Sequence, residues 1–241
     1  MDTDGDDFVS VRGVETARGG AATHVPVAEA VAARVRDRIF DGVLPPGIQL
    51  YEEQLAEELG ASRNTLREAF RLLSHERLVQ HVRHRGVFVR TPTADDARDL
   101  WRAREVLECG ALAAARRAAT PPAAGVDLED LTVRATAAAE RGEWAQVGTY
   151  NGEVHLAICG LAGSARLVEE ARRLLTEIRL VFVAVGGAQV VHEPWLRANA
   201  ELARLISAGD LTAAEDALRD YLHRSGESMV ALFHARDAAA R

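Results

Sequence analysis

Along the first third of the chain, apolar residues recur at helical spacing in three separate runs. Val27, Val31, Val35 and Ile39 mark one face as far as Asp41-Gly42. The stretch "LPPGIQL" then forces a turn, because proline lacks the donor and the torsional freedom that a helix needs. A second helix over about 52–59 ends at Gly60, a residue type that readily takes the left-handed conformation closing many helices. Ser62 is a good N-cap for a third helix to about His75, with Leu66, Ala69, Phe70 and Leu73 as its buried stripe. The period then changes from helical to alternating: "LVQHV" and "VFVR" read as short strands around "RHRG", which makes a hairpin. Helix, helix, tight turn, helix and two-stranded wing is the order of a winged helix-turn-helix.

Thr91-Pro92-Thr93 breaks the last strand, and everything beyond it has helical spacing. Helices are expected near 94–119, 127–141, 143–161, 164–185, 194–208 and 211–234. Pro121-Pro122, Gly142, Gly163, Gly186-Gly187 and Gly209-Asp210 separate them. The fold class is therefore mainly α: an N-terminal winged helix-turn-helix followed by an all-α antiparallel helical bundle. The expected divisions are a disordered leader at 1–24, a winged helix-turn-helix domain at 25–91, a linker at 92–93, an all-helical domain at 94–235, and a tail at 236–241. The leader is assigned from its Gly, Asp, Ala and Thr content without periodicity.

Composition narrows the classes. A chain that is 48% hydrophobic and 27% charged reads as a soluble globular protein. No apolar run approaches the roughly 18 residues of a membrane span, and "MDTDGDDFVS" is acidic where a secretory signal is basic and then apolar. The expectation is a cytoplasmic protein with no membrane partner. Cys109 and Cys159 lack the spacing of a zinc site and read as buried thiols. The net charge of −7 argues against indiscriminate nucleic-acid binding, yet its distribution is uneven. Ser62 to Arg90 holds seven arginines against Glu68 and Glu76, a local net of +5.

On the third helix the buried stripe turns Arg63, Asn64, Arg67 and Arg71 outward, with Thr65 near the start. Arginine can pair bidentately with guanine and asparagine with adenine in the major groove, each worth about 1–3 kcal/mol of discrimination. Ser62 and the first-turn amides suit a phosphate. On the hairpin tip, Arg83, His84 and Arg85 present cationic groups, and Gly86 allows close approach of the backbone. A solvated arginine face is the plain alternative, but turn spacing, excess charge and wing coincide here. Residues 44–89, "LPPGIQLYEEQLAEELGASRNTLREAFRLLSHERLVQHVRHRGVFV", resemble the DNA-binding domain of the GntR family of bacterial transcription regulators. The resemblance implies that Arg63, Asn64, Thr65 and Arg67 read or position on DNA and that His84, Arg85 and Gly86 form the wing contact. Arg77 departs from the pattern, standing where the family usually has glycine.

The rest of the chain resembles the FCD effector domain of the FadR branch of that family, through "RAREVLE" at 102–108, "YNGEVHLAI" at 150–158 and "ELARLISAGDLTAAEDAL" at 201–218. Periodicity independently turns polar groups inward on four helices: Arg104 beside Leu100, Leu107 and Ala111; Asn151 and His155 beside Val147, Val154 and Ile158; Asn199 beside Trp195, Leu202 and Ile206; and Tyr221 beside Leu218, Leu222 and Ser225. Singly each could be a satisfied core residue. Together they point to a small-molecule pocket, with Arg104 expected to anchor a carboxylate or phosphate.

Metal-binding members of the branch are implied to use an Asp and His four apart, joined by histidines on the last two helices. The matching positions here are Asn151, His155, Asn199 and Tyr221, a degenerate set without the imidazoles and charge that hold a transition metal, so no cofactor is expected. His223 points about 200° away from Tyr221, and His192 precedes its predicted helix. An enzyme is disfavoured, since no carboxylate or serine stands at an evident catalytic spacing to His155. The expected function is a homodimeric, ligand-responsive regulator on a palindromic operator, a repressor by resemblance, with a small anionic effector. Constitutive DNA binding without an effector and a metal-dependent member remain the alternatives.

Overall fold

The computed structural model describes residues 27–118 and 127–239. The leader expected at 1–24 and the Pro121-Pro122 break lie outside the described residues. In chain order the elements are α1 (Val27–Phe40), β1 (Gln49–Leu50), α2 (Glu52–Leu59), α3 (Arg63–His75), β2 (Val79–Val82), β3 (Gly86–Val89), α4 (Ala94–Arg117), α5 (Leu128–Glu140), α6 (Trp144–Gly160), α7 (Ala165–Val185), α8 (Ala188–His192), a 3-10 turn (Glu193–Trp195), α9 (Leu196–Ser207) and α10 (Leu211–Ala239).

The N-terminal half packs α1 across α3 and closes with an antiparallel sheet in the order β1-β3-β2. Ser62 caps α3, its hydroxyl accepting the Thr65 amide at 3.1 Å, and Gly60 ends α2 with φ 61°. Ile39, Leu66, Phe70, Leu73 and Leu78 are completely buried at the centre of this half. Leu180, from α7 in the other half, is part of the same core. The linker leads directly into α4, whose Thr93 and Asp96 form a reciprocal capping box. α4 lies along α10, and α5 packs on α6 and α9, which gives the second half its own apolar centre.

Three features differ from the sequence expectation. The wing sheet has a third strand, β1, which pairs Gln49 with Phe88 and Leu50 with Val87; two residues are too few for alternation to show. A short helix and a 3-10 turn precede α9, set off by Gly186 and Gly187, both with positive φ. α10 runs on to Ala239, into the expected tail, because "FHARDAA" contains no breaker and is rich in helix formers.

Candidate functional site

The α3 face carries Arg63, Asn64, Arg67 and Arg71 exposed, with Ser62 at its start and Thr65 half-buried behind it. The arginines are not free cations: Arg63 pairs with Glu53, Arg67 Nε donates to Glu52 Oε2 at 2.8 Å, and Arg71 Nη1 to Glu68 Oε2 at 2.8 Å. These pairs are exposed and hence individually weak, so a phosphate or a base edge can displace them at little cost. Arg83, His84, Arg85 and Gly86 sit exposed at the hairpin tip. His84 holds φ 62° and Gly86 φ 102°, and the Gln49 side-chain amide donates to the Arg85 carbonyl at 2.7 Å, bracing the turn from β1. Arg90, counted above with the basic cluster, points away from this face: Nη1 donates to Glu177 Oε1 at 2.6 Å and Nη2 to Asp96 Oδ1 at 2.8 Å. Arg77 is left-handed, φ 57°, and its guanidinium lies 3.8 Å from Glu177.

The second constellation surrounds a cavity of about 310 Å³. Arg104, Asn151, His155 and Tyr221 line it; Asn199 is buried but lies outside the lining. The four are joined by residues that sequence reasoning passed over. Arg104 Nε donates to Glu108 Oε1 at 2.8 Å, and His155 Nδ1 stands 2.7 Å from Glu108 Oε2. A carboxylate can only accept, so the His155 proton sits on Nδ1, leaving Nε2 to accept the Tyr221 hydroxyl at 3.2 Å. Glu108 is 2% exposed, and its charge cancels that of Arg104. Arg104 is therefore not the bare anchor the sequence suggested, since Glu108 already meets its charge. Arg104 Nη2, Asn151 Oδ1 and both amide atoms of Asn199 are buried without a hydrogen-bond partner in the protein. Such atoms cost stability unless something else meets them.

His192, set aside above because it precedes a helix, belongs to the same wall. Its Nδ1 is 3.4 Å from the Asn151 side-chain nitrogen. Gly148 makes room for it: a Cβ there would come within 2.6 Å of His192 Nε2. On the opposite wall Trp101 Nε1 donates to Ser225 Oγ at 2.8 Å, and Gly226 lets α10 pass against the indole.

Burial sets the protonation states. It pushes the His192 pKa down to about 4, with the charge of Arg179 acting the same way, and lowers that of His155 despite Glu108. It raises Tyr221 to about 12. In Glu108 the opposing pull of Arg104 and His155 overcomes burial and keeps the carboxylate ionised. The positions that would hold a metal thus supply one imidazole engaged at both nitrogens, two neutral amides and a protonated phenol, which fits a transition metal poorly. His223 is on the outer face beside Glu227.

Glu108 had a legible signal. Ala97, Trp101, Arg104, Glu108, Ala111 and Ala115 follow alternating steps of four and three, and all are buried; the stripe drawn through Leu107, which is only half-buried, missed it by one residue.

Comparison with known proteins agrees with this architecture. Residues 27–89 match the family described as bacterial regulatory proteins, gntR family, and residues 99–224 match the FCD domain. A crystal structure described as a putative transcriptional regulator GntR from Rhodococcus sp. RHA1 is 35% identical and superposes with a TM-score of 0.76, covering 85% of this chain and 97% of that one. The uncharacterised HTH-type transcriptional regulator BphR of Paraburkholderia xenovorans is 40% identical over 97 residues, which span 38% of this chain and 40% of BphR. The Nta operon transcriptional regulator of Aminobacter aminovorans is 29% identical over 161 residues, 66% of this chain and 75% of that protein.

Proposed function

Because the chain belongs to the GntR family of bacterial transcription regulators, with an FCD effector domain and no enzymatic role, we propose that it is a ligand-responsive repressor that binds a palindromic operator as a homodimer. The DNA contacts are assigned to Ser62, Arg63, Asn64, Thr65, Arg67 and Arg71 on α3 and to Arg83, His84, Arg85 and Gly86 on the wing. The effector contacts are assigned to Arg104, Asn151, His155 and Tyr221, which line the cavity; Asn199, outside the lining, is not among them, and no metal takes part. The effector is a small anionic metabolite.

The observation that carries the effector reading is that two residues of the cavity wall, Arg104 and Asn151, each keep a buried side-chain atom, Nη2 and Oδ1, without a partner in the protein. A volume of about 310 Å³ suits a small metabolite. Arg36, Asp37 and Phe40 of α1 line the same cavity, so a ligand inside it touches the DNA-binding half directly. For control to follow, the ligand must bind the DNA-competent and DNA-incompetent arrangements with different affinity. A thermal-shift panel of small carboxylates, sugar acids and acyl thioesters tests the reading. Stabilisation by one chemical class supports it, whereas no shift at high concentration of any compound favours constitutive DNA binding. Among the described residues no helix is long and apolar enough to cross a membrane.

A further inference from the structure

The charges around the cavity are arranged in two zones. In the buried zone Arg104 and Glu108 cancel. At the end bounded by α1, Arg36 is paired with Glu76, its Nε donating to Oε2 at 2.8 Å. Arg172 and Arg179, on one face of α7, line the cavity, Arg179 at that end, and among the described residues neither forms an ion pair. Arg172 is exposed and solvated, but Arg179 is half-buried. The Arg179 guanidinium lies over the Phe40 ring, 4.7 Å from its centroid, and its Nη1 reaches Thr149 Oγ1 at a long 3.4 Å. Asp37 and Asp41 attract it without reaching ion-pair distance, and burial lowers its pKa in spite of them. Asp37 and Glu153 also line the cavity, so Arg179 stands out not by an excess of positive charge but because it is half-buried with no carboxylate at ion-pair distance. Between the zones the wall is apolar, formed by Trp101, Leu175, Phe182 and Met229.

We propose that Arg179 is the anion-recognising residue of the cavity. The effector class is then an amphiphile with a carboxylate or similar oxyanion at the α1 end, an apolar body, and a neutral hydrogen-bonding group at Arg104 Nη2 and Asn151 Oδ1. A hydroxyl suits that end because it can accept from an arginine and donate to an amide oxygen. An oxyanion at Arg179 supplies the charge-assisted bonds that Thr149 and Phe40 do not, in a setting where partial burial strengthens them. This proposal rests on the effector reading and sharpens it, since it moves the charged end of the ligand from Arg104 to the interdomain helix.

The test is isothermal titration of the full chain with 3-(4-hydroxyphenyl)propanoate and with its uncharged methyl ester, in the wild type and in Arg179→Gln. The acid is expected to bind the wild type at least about tenfold tighter than the ester, as one charged hydrogen bond implies. In Arg179→Gln the acid weakens to the level of the ester, the ester is unchanged, and the ligand-free unfolding midpoint is retained. If the variant keeps the preference for acid, or the wild type binds both equally, Arg179 is not the anchor, and the effector reading survives. If the wild type binds neither compound, this ligand class is wrong, and the broader thermal-shift panel judges the effector reading separately.

Discussion

Arg90, at the end of β3, donates Nη1 to Glu177 Oε1 of α7 at 2.6 Å, and this ion pair ties the wing to the helix that lines the cavity. Glu177 is 8% exposed and also faces Arg77, while Leu180 three residues on enters the core of the DNA-binding half. α7 therefore carries cavity residues on one side and the seat of the DNA-binding domain on the other. Glu177→Gln removes the charge and is expected to cost about 1–3 kcal/mol in chemical denaturation. Amide exchange should quicken in α1 and the wing before the α4–α10 pair. An unchanged midpoint and exchange pattern would show that the docking does not depend on this contact.

Arg77 occupies a left-handed position at φ 57°, which costs a non-glycine residue about 1 kcal/mol. Its partial compensation, the 3.8 Å approach to Glu177, is made by a side chain 68% exposed and is correspondingly weak. Arg77→Gly should thus stabilise the protein by up to about 1 kcal/mol and leave operator affinity unaltered. Loss of stability would mean that the interdomain contact outweighs the backbone strain.

Stability should fall on mild acidification. An unfolded histidine takes up a proton near pH 6.5, whereas burial holds His192 at about 4. Between those values the unfolded state binds more protons, so the stabilisation is fully present above about pH 6.5 and is lost progressively as pH falls toward 4. The total is on the order of 3 kcal/mol for His192, and His155 is displaced in the same direction by burial. His192→Gln should lose less stability than the wild type between pH 7 and pH 5; parallel profiles would place the acid sensitivity elsewhere.

On the DNA face, Arg63→Ala is expected to abolish sequence-specific binding in a gel-shift assay while changing stability by less than about 0.5 kcal/mol, since the side chain is exposed. Arg85→Ala should flatten the salt dependence of binding by about one unit of slope if it meets a phosphate. Intact operator affinity in the first variant would overturn the placement of the recognition surface.

Metal analysis after dialysis should find well under one equivalent of zinc, nickel or manganese per chain. One full equivalent would contradict the reading of Asn151, His155, Asn199 and Tyr221 as a metal-free set.

The outward set of α3 is readable because burial of Leu66, Ala69, Phe70 and Leu73 leaves Arg63, Asn64, Arg67 and Arg71 nowhere to point but outward. On the cavity side, polar residues on an apolar helical stripe were conspicuous, and Arg104, Asn151, His155 and Tyr221 do converge. The partners that neutralise or orient them were harder to see. Glu108 follows Leu107, whose apolar side chain is the one that spacing favours for the core, and His192 sits on a five-residue helix too short to show a period. Arg179 has no local signal at all. An arginine on an amphipathic helix reads as solvated, and it becomes half-buried only because α1 from the other domain packs Phe40 beneath it. Similarly, Arg90 reads as part of the basic cluster, and only the fold brings the α7 carboxylate of Glu177 beside it.

The claim that the cavity controls DNA binding is tested most directly by measuring operator affinity with and without a cavity ligand. A palindromic duplex selected from a random pool by the full chain serves as operator, and the compound giving the largest thermal shift serves as ligand. The dissociation constant is expected to change at least about tenfold at saturating ligand, as a differential affinity of about 1.4 kcal/mol or more requires. The same operator affinity in the bound and free protein would mean that the ligand does not distinguish the two arrangements, and would contradict the account.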